Sequence, residues 1–399
     1  MNGLVDRTLA NGLRILALQH GLMPMVEARL HLPAPCHTAA DLAASMLLST
    51  GLTLSRDAGD GVELSAMGDV HRVAVSASAA LTDLDLLLTA LADVVEGAAG
   101  DLAIARGQLG SQLRVLGAHP DLATRAALAR HLFGDHPVSH PVPTPDEVAA
   151  VTNAHRPFSA RGAVLIILAP EDPERLAELA EKALGGWRPS PGAPLPPLPE
   201  IGTGRLAALS QPGAPQSRIR LRAPAVAVHD ERYPALFVAS NITGGYLSSR
   251  LARSLREDNG YVYGIMSYFD LHPGRPLFAV EADTSAATTS AALEVMGAEL
   301  HRLTTTHPPT EAEVRAARAY ALGSAATRLA SRAALANGLA DLAGRSVDPL
   351  LLFGFTRRLE TVTTEEVVAA TAAHLAPARF SGVVAADPGA LPDTLSLVP

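Results

Sequence analysis

Two distant stretches of this chain carry the same succession of signals, and that repeat limits the available folds more than any other feature. Thr144-Pro145-Asp146-Glu147-Val148 places a hydroxyl three residues ahead of a glutamate, and Thr363-Thr364-Glu365-Glu366-Val367 does the same. Such spacing predicts a capping box opening a helix. An apolar strand is predicted soon after each, over Ala163 to Leu168 and over Gly382 to Ala386. Upstream of each box, a strand over Val73 to Ala77 leads into an apolar helix over Leu84 to Val95. In the second half, Phe278 to Ala282 leads through a Thr/Ser-rich cap into Ala291 to Leu303. Cap, helix and strand recurring in one order imply duplication. The expected fold class is therefore α+β, with two duplicated α/β-roll domains, each an antiparallel-type sheet packed with helices. Between them, Pro189 to Pro199 is about half proline and cannot sustain a helix or a sheet interior. This linker divides the chain into domains 1–195 and 196–399.

Local patterns fill in the halves. Val26, Ala28, Leu30 and Leu32 alternate with Glu27, Arg29 and His31, the period of a half-buried strand. Asn11-Gly12 is a tight-turn dipeptide feeding Leu13 to Leu18. Thr38 to Leu48 reads as a helix stopped by Gly51. Val62 to Ala66 and Arg72 to Ala77 read as paired strands around Gly68-Asp69. Thr82 with Asp85 offers a cap to the helix over 84–95, and Leu102 to Leu132 reads as continuously helical. A helix over Glu174 to Leu184 stops at Gly185-Gly186. Arg218, Arg220 and Arg222 alternate with Ile219 and Leu221 as a strand, and helical patterns follow from Ala235 and from Ala312 to Leu342.

Composition narrows the function classes. A chain of 399 residues with 48% apolar and 18% charged residues is globular and long enough for more than one core. Its formal charge of -8 argues against nucleic acid or an anionic membrane as partner, because both select basic surfaces. A lone cysteine, Cys36, cannot form an internal disulfide or a CxxC metal site. The longest apolar runs, such as Ala163 to Ala169, fall far short of the roughly 20 residues that span a bilayer, and no basic-then-apolar leader opens the chain. A cytoplasmic protein is expected. His131, His136 and His140 with Asp135 surround a Gly-Asp-His-Pro turn and are read as turn residues, and Gly244-Gly245 lacks the Lys-Ser/Thr of a phosphate loop.

The sequence resembles the pitrilysin or insulinase-like family of zinc metallopeptidases in its two-domain subunit form. The resemblance rests on Leu132-Phe133-Gly134-Asp135-His136-Pro137 with the capping box at Thr144. It rests above all on Gly244-Gly245-Tyr246-Leu247-Ser248-Ser249-Arg250-Leu251 and on Leu255 through Tyr263. It implies that active relatives carry His-x-x-Glu-His on a helix of the first domain, with a distant glutamate as third ligand. Residues i and i+4 share a helix face, so two imidazoles can converge on Zn²⁺ while the intervening glutamate serves as base. With Met46 and the following leucines as guide, these positions fall on Asp41, Ala44 and Ser45, and the distant ligand falls near Gln112. None is retained.

The resemblance further implies a substrate-orienting arginine and tyrosine seven residues apart, which here are Arg256 and Tyr263. It therefore implies a catalytically silent subunit holding no metal or cofactor of its own. The partner would be an active zinc peptidase subunit bearing His-x-x-Glu-His, and the substrate an extended peptide. A structural module of the same fold, without a peptidase partner, is the alternative.

Overall fold

The computed structural model describes residues 3–55, 61–96, 100–154, 158–188, 193–392 and 395–397. Of the predicted linker, residues 189–192 lie outside the described residues. The first half runs β1 (Leu4–Thr8), β2 (Arg14–Gln19), β3 (Met25–Pro33), α1 (Ala39–Ser55), β4 (Val62–Gly68), β5 (Arg72–Ala80) and α2 (Leu84–Val95). It continues with α3 (Leu102–Gly117), α4 (Pro120–Phe133), α5 (Pro145–Ala150), β6 (Val164–Ala169) and α6 (Pro173–Leu184). The second half runs β7 (Leu206–Ser210), β8 (Gln216–Pro224), α7 (Tyr233–Ser240), α8 (Arg250–Ala252), β9 (Val262–His272), β10 (Arg275–Ser285) and α9 (Thr289–Thr304). Then come α10 (Glu311–Arg328), α11 (Arg332–Gly344), α12 (Leu351–Glu360), α13 (Thr364–His374), β11 (Ser381–Ala386) and β12 (Ser396–Leu397).

Two six-stranded open sheets result, and their inner connectivity is the same. The first has the order β1-β2-β6-β3-β5-β4 and the second β12-β7-β11-β8-β10-β9. Each has one internal parallel pair, β2 with β6 and β7 with β11, while the next three neighbours in each are antiparallel. The outer strands differ: β1 joins β2 antiparallel, whereas β12 joins β7 parallel. Both capping boxes form, with Thr144 and Glu147 bonded reciprocally at 3.2 and 2.7 Å and Thr363 and Glu366 at 3.2 and 2.8 Å. The duplication read from sequence is the architecture.

Two compact units make up the chain, one of residues 1–118, 140–196 and 328–349, the other of 119–139, 197–327 and 350–399. Each therefore contains one helix from the other half of the sequence. In the first unit α11 packs on β3 and β6, and in the second α4 packs on β11 and β8. The expected continuous helix over 102–132 is in fact α3 and α4, parted at His119-Pro120. Proline lacks the N–H an α-helix interior needs and suits the first turn, so α4 begins at Pro120.

Three smaller expectations are corrected. Gly51 does not stop α1, which continues to Ser55. Leu48 and Leu52, one turn apart, are 0% and 4% exposed. Burying such side chains is worth about 1.5–3 kcal/mol each, more than the ~1 kcal/mol a helical glycine costs. Thr82 does not cap α2, which is entered through a 3-10 turn, Leu81–Asp83, with no capping side chain. The helical stretch over 312–342 is broken before Arg332, where Ser331 Oγ accepts the Ala334 N–H at 3.1 Å and opens α11. Among the described residues, no helix is long and apolar enough to cross a membrane.

Candidate functional site

In the first unit, three of the positions that the resemblance assigns to metal ligation lie on α1, packed against α3 and β4, and the fourth, Gln112, lies on α3. Asp41 is engaged in opening its own helix. Its carboxylate accepts the Thr38 N–H and Oγ1–H at 3.0 Å each and the His37 N–H at 3.1 Å, while its own N–H donates to Thr38 Oγ1 at 3.1 Å. This reciprocal arrangement satisfies helix N-terminal donors that have no intrahelical acceptor. One turn on, Ser45 is fully buried and faces the end of β4. A Cβ built on Gly68 would stand 2.9 Å from both the carbonyl and hydroxyl oxygens of Ser45, and 2.9 Å from Ser49 Oγ. The glycine permits this helix-to-strand approach, and the space an imidazole would need at position 45 is occupied by β4. Ala44 offers no donor atom, and Gln112 lies on the exposed face of α3. These residues do not fit zinc, because a lone carboxylate already committed to a cap, a methyl, a buried hydroxyl and an amide are not a tetrahedral N/S/O donor set. Among the described residues, no three His, Cys, Asp or Glu are grouped so as to hold a metal ion.

In the second unit, Arg256 and Tyr263 flank one turn. The helical run from Arg250 widens to a π-helix, Arg253–Asp258, and ends at Gly260, whose φ of 66° suits a residue without a Cβ. The Gly260 N–H donates to Arg256 O at 3.1 Å, the Tyr261 N–H to Leu255 O at 2.8 Å, and Asn259 Nδ2 to Ser254 O at 2.7 Å. On the far side, Thr284 Oγ1 donates to Tyr261 O at 2.7 Å. The register of β9 against β10 then shifts: Thr284 pairs with Val262 and Asp283 with Gly264, leaving Tyr263 as the extra residue of a β-bulge. Bulges re-aim side chains. Tyr263 is 93% exposed and Arg256 is also exposed, and among the described residues neither side chain has a hydrogen-bond partner.

The glycines and arginine upstream support that turn. A Cβ on Gly244 would lie 3.3 Å from Ser267 of β9, and one on Gly245 would lie 2.7 Å from Asn241 Oδ1, so small residues let this segment press against the sheet. Arg250 holds Glu313 through two 2.8 Å bonds and also reaches the Pro308 carbonyl. Burial would raise the Glu313 pKa, yet Arg250 and Thr310 outweigh it and hold the carboxyl at about 2.

Beneath Tyr263 lies a charged cluster whose organisation the arginine alternation did not disclose. Arg222 Nη2 donates to Glu281 Oε1 at 2.7 Å and to the Tyr268 hydroxyl at 3.0 Å, and Tyr268 donates to the same Oε1 at 2.7 Å. Arg220 donates to Asp283 Oδ1 and to Asp121 Oδ1, both at 2.7 Å, and Arg125 donates to Asp121 Oδ2 at 2.6 Å. Asp121 and Arg125 come from α4, so the helix drawn from the first half completes the cluster. Burial disfavours the Glu281 carboxylate, but Arg222, Tyr268 and Arg220 together hold its pKa below the ordinary range. Burial, with help from Glu281, pushes the Tyr268 hydroxyl up to about 12. The equivalent strand β3 has the same inside-outside pattern as β8, and aligning their terminal prolines matches Arg29 with Arg220 and His31 with Arg222. Arg29 there bonds Glu27 at 2.9 Å and Asn337 of α11 at 2.7 Å. An internal rhyme between MVEARLHLP and QSRIRLRAP was the available signal.

The fold is a duplicated α/β roll, and the helix on which the resemblance places a metal's ligands carries Asp41, Ala44 and Ser45 at those positions. Residues 151–320 match the family described as Peptidase M16 inactive domain. An uncharacterized zinc protease of Mycobacterium tuberculosis is 27% identical over 384 residues, 91% of this chain and 83% of that protein. One from Streptomyces coelicolor is 27% identical over 307 residues, covering 72% and 66%. Among solved structures, a peptidase M16 inactive domain from Pseudomonas fluorescens has a TM-score of 0.84 at 20% identity, covering 99% of both chains. A chain of complex III2 from Candida albicans has a TM-score of 0.77 at 18% identity, covering 96% and 95%. The chain is thus similar to pitrilysin-like M16 proteins: residues 151–320 match the inactive-domain family, and the whole chain shares the fold of solved M16 structures.

Proposed function

We propose that this chain is the catalytically silent subunit of a heterodimeric zinc metallopeptidase, offering Arg256 and Tyr263 to an extended peptide bound at the partner's metal site. The observation that carries the reading is an asymmetry. Ligand positions on α1 have been given over to capping and close packing, whereas Arg256 and Tyr263 are exposed and have no partner within the described residues. A structural role would spend such donors on internal bonds. A guanidinium and a phenol aimed at a developing oxyanion are each worth roughly 10² to 10³ in rate. Main-chain pairing along a free edge strand such as β9 suits an unfolded, sequence-varied peptide. Peptide processing or degradation is the implied process.

The test is reconstitution of the purified chain with an M16 subunit bearing His-x-x-Glu-His. A complex should form, only the complex should cleave peptides, and Arg256→Ala and Tyr263→Phe should lower its turnover without preventing assembly. Failure to form any complex would refute the reading, as would cleavage by this chain alone.

A second reading is favoured by the likeness to the complex III2 chain, a member of a large assembly. Under it this chain is a structural module, and its stable partner would lack the zinc motif.

A further inference from the structure

We infer that Asn259 is a self-modification site, at which the chain loses a side-chain amide to its own backbone and gains a carboxylate close to Arg256. The sequence places an Asn-Gly dipeptide at three positions, Asn11-Gly12, Asn259-Gly260 and Asn337-Gly338. Glycine leaves the backbone nitrogen after the asparagine unshielded by a Cβ, so that nitrogen can reach the side-chain amide carbon wherever the backbone is free to turn. The same chemistry is open to all three, and the fold decides among them.

Two of the three are held. Asn11 Nδ2 donates to the carbonyls of Leu184, Gly185 and Trp187 at 2.9, 3.3 and 3.1 Å, its Oδ1 accepts the Leu13 N–H at 3.1 Å, and the Gly12 N–H donates to Leu9 O at 2.9 Å. Asn337 sits within α11, where the helical ladder engages the Gly338 N–H, and its Oδ1 accepts Arg29 Nε at 2.7 Å. Asn259 differs from both. It and Gly260 are exposed, they end the helical run from Arg250, and Gly260 has a left-handed φ of 66°. Among the described residues the Asn259 side chain makes one bond, from Nδ2 to Ser254 O at 2.7 Å, and the Gly260 N–H makes one, to Arg256 O at 3.1 Å. Opening these two bonds at the solvent-exposed end of a helix frees the Asn259 ψ, which stands at -19°, to rotate the Gly260 nitrogen toward Cγ.

The reaction balances with water as its co-reactant. The Gly260 nitrogen gives its proton to solvent base and bonds to Asn259 Cγ. The Cγ–Nδ2 bond breaks, and the departing nitrogen takes up a proton and leaves as ammonia. Water then opens the resulting cyclic imide at either carbonyl, giving an aspartate or its β-linked isomer. The product carboxylate has no N–H to give Ser254 O, so two acceptors are left facing each other. It also follows Glu257 and Asp258 at the C-terminal end of a helical run, where the dipole disfavours negative charge. The turn after Arg256 loosens, and the guanidinium gains a nearby counter-charge. Modification therefore withdraws Arg256 from an incoming peptide, a consequence that rests on reading Arg256 as substrate-facing.

The experiment incubates the full chain at neutral pH for days and maps its peptides by mass spectrometry, with the same chain in urea as the reference. In urea the three dipeptides should convert at rates within a few-fold of one another. In the folded chain Asn259 should convert at least about tenfold faster than Asn11 or Asn337, because each hydrogen bond that must open slows the attack. Asn259→Gln, which keeps an amide donor for Ser254 O, should abolish the mass change in that peptide. Conversion of Asn11 or Asn337 as fast as Asn259 in the folded chain overturns the inference, and so does a folded Asn259 that stays intact for as long as it takes to convert in urea. Both comparisons use the wild-type chain, so they decide even if a variant does not fold. In the reconstituted complex, Asn259→Asp should lower turnover about as much as Arg256→Ala. If Arg256→Ala lowers it and Asn259→Asp does not, the withdrawal of Arg256 is overturned while the modification stands. If neither changes turnover, the substrate-facing reading of Arg256 fails, and the peptide maps alone decide the modification site.

Discussion

Glu281→Gln tests whether the buried charges of the second unit act as one system. Glu281 is 5% exposed, and two donors bond its Oε1 at 2.7 Å, while Arg220 Nε and Arg125 Nη2 stand 3.5 and 3.6 Å from Oε2. Removing one partner of a buried ion pair costs about 3–5 kcal/mol, because the opposite charge stays behind without compensation. Glutamine keeps one acceptor of the same shape, and Arg222 retains Asp270 at 3.3 Å, so the expected loss falls at about 2–4 kcal/mol. For a domain of this size that is a fall in melting temperature of roughly 4–16 °C. Differential scanning calorimetry at pH 7 of the single chain would measure it. The double variant Arg222→Met with Glu281→Met should be less harmful than Glu281→Gln alone, since it removes both charges together. A loss below about 0.5 kcal/mol for Glu281→Gln, the range of ordinary surface changes, would refute the reasoning, and so would a double variant worse than the single.

Acid should loosen the second unit. Glu281, Asp121 and Asp270 are all held below their ordinary values: burial opposes ionisation in each, but neighbouring guanidiniums, and His272 beside Asp270, prevail. Their stabilisation is complete above the unfolded carboxylate pKa of about 4 and is lost as pH falls below it, so melting temperature should drop steeply from pH 5 to pH 3. His31 acts over a higher window. Burial and then Arg72 lower its pKa to about 4, so the unfolded chain takes up a proton below about 6.5 that the folded chain refuses. His31→Gln should flatten the stability profile between pH 6.5 and 4, and an unchanged slope would count against a neutral buried imidazole. Installing the ligand pattern that the resemblance implies, by Asp41→His, Ala44→Glu and Ser45→His, should not create zinc binding. It should cost about 1–3 kcal/mol from overpacking against Gly68, and stoichiometric zinc in the purified variant would overturn that account. Arg256→Ala and Tyr263→Phe, at exposed positions, should each change stability by less than about 0.5 kcal/mol in chemical denaturation.

Much of this molecule is determined by local sequence. Helix caps, tight turns and period-2 alternation are short-range signals, which is why both capping boxes, the β4-β5 pair around Gly68-Asp69 and the repeated strand-helix order could be read directly. That Asp41, Ala44 and Ser45 include no imidazole was equally legible, since a missing His pair at i and i+4 needs no coordinates. Partnership between distant segments was decided by the tertiary structure. Pro120 starts α4, a break that the continuous helical reading of 102–132 passed over, and nothing near it says that α4 lies on β11 and β8 while α3 remains with α1. Arg220 and Arg222 announced a strand face, but their carboxylates come from positions 121, 270, 281 and 283, and charge pairing at such separations leaves no periodic trace. The bulge at Tyr263 is likewise a property of two strands in register, visible only once β10 lies beside β9.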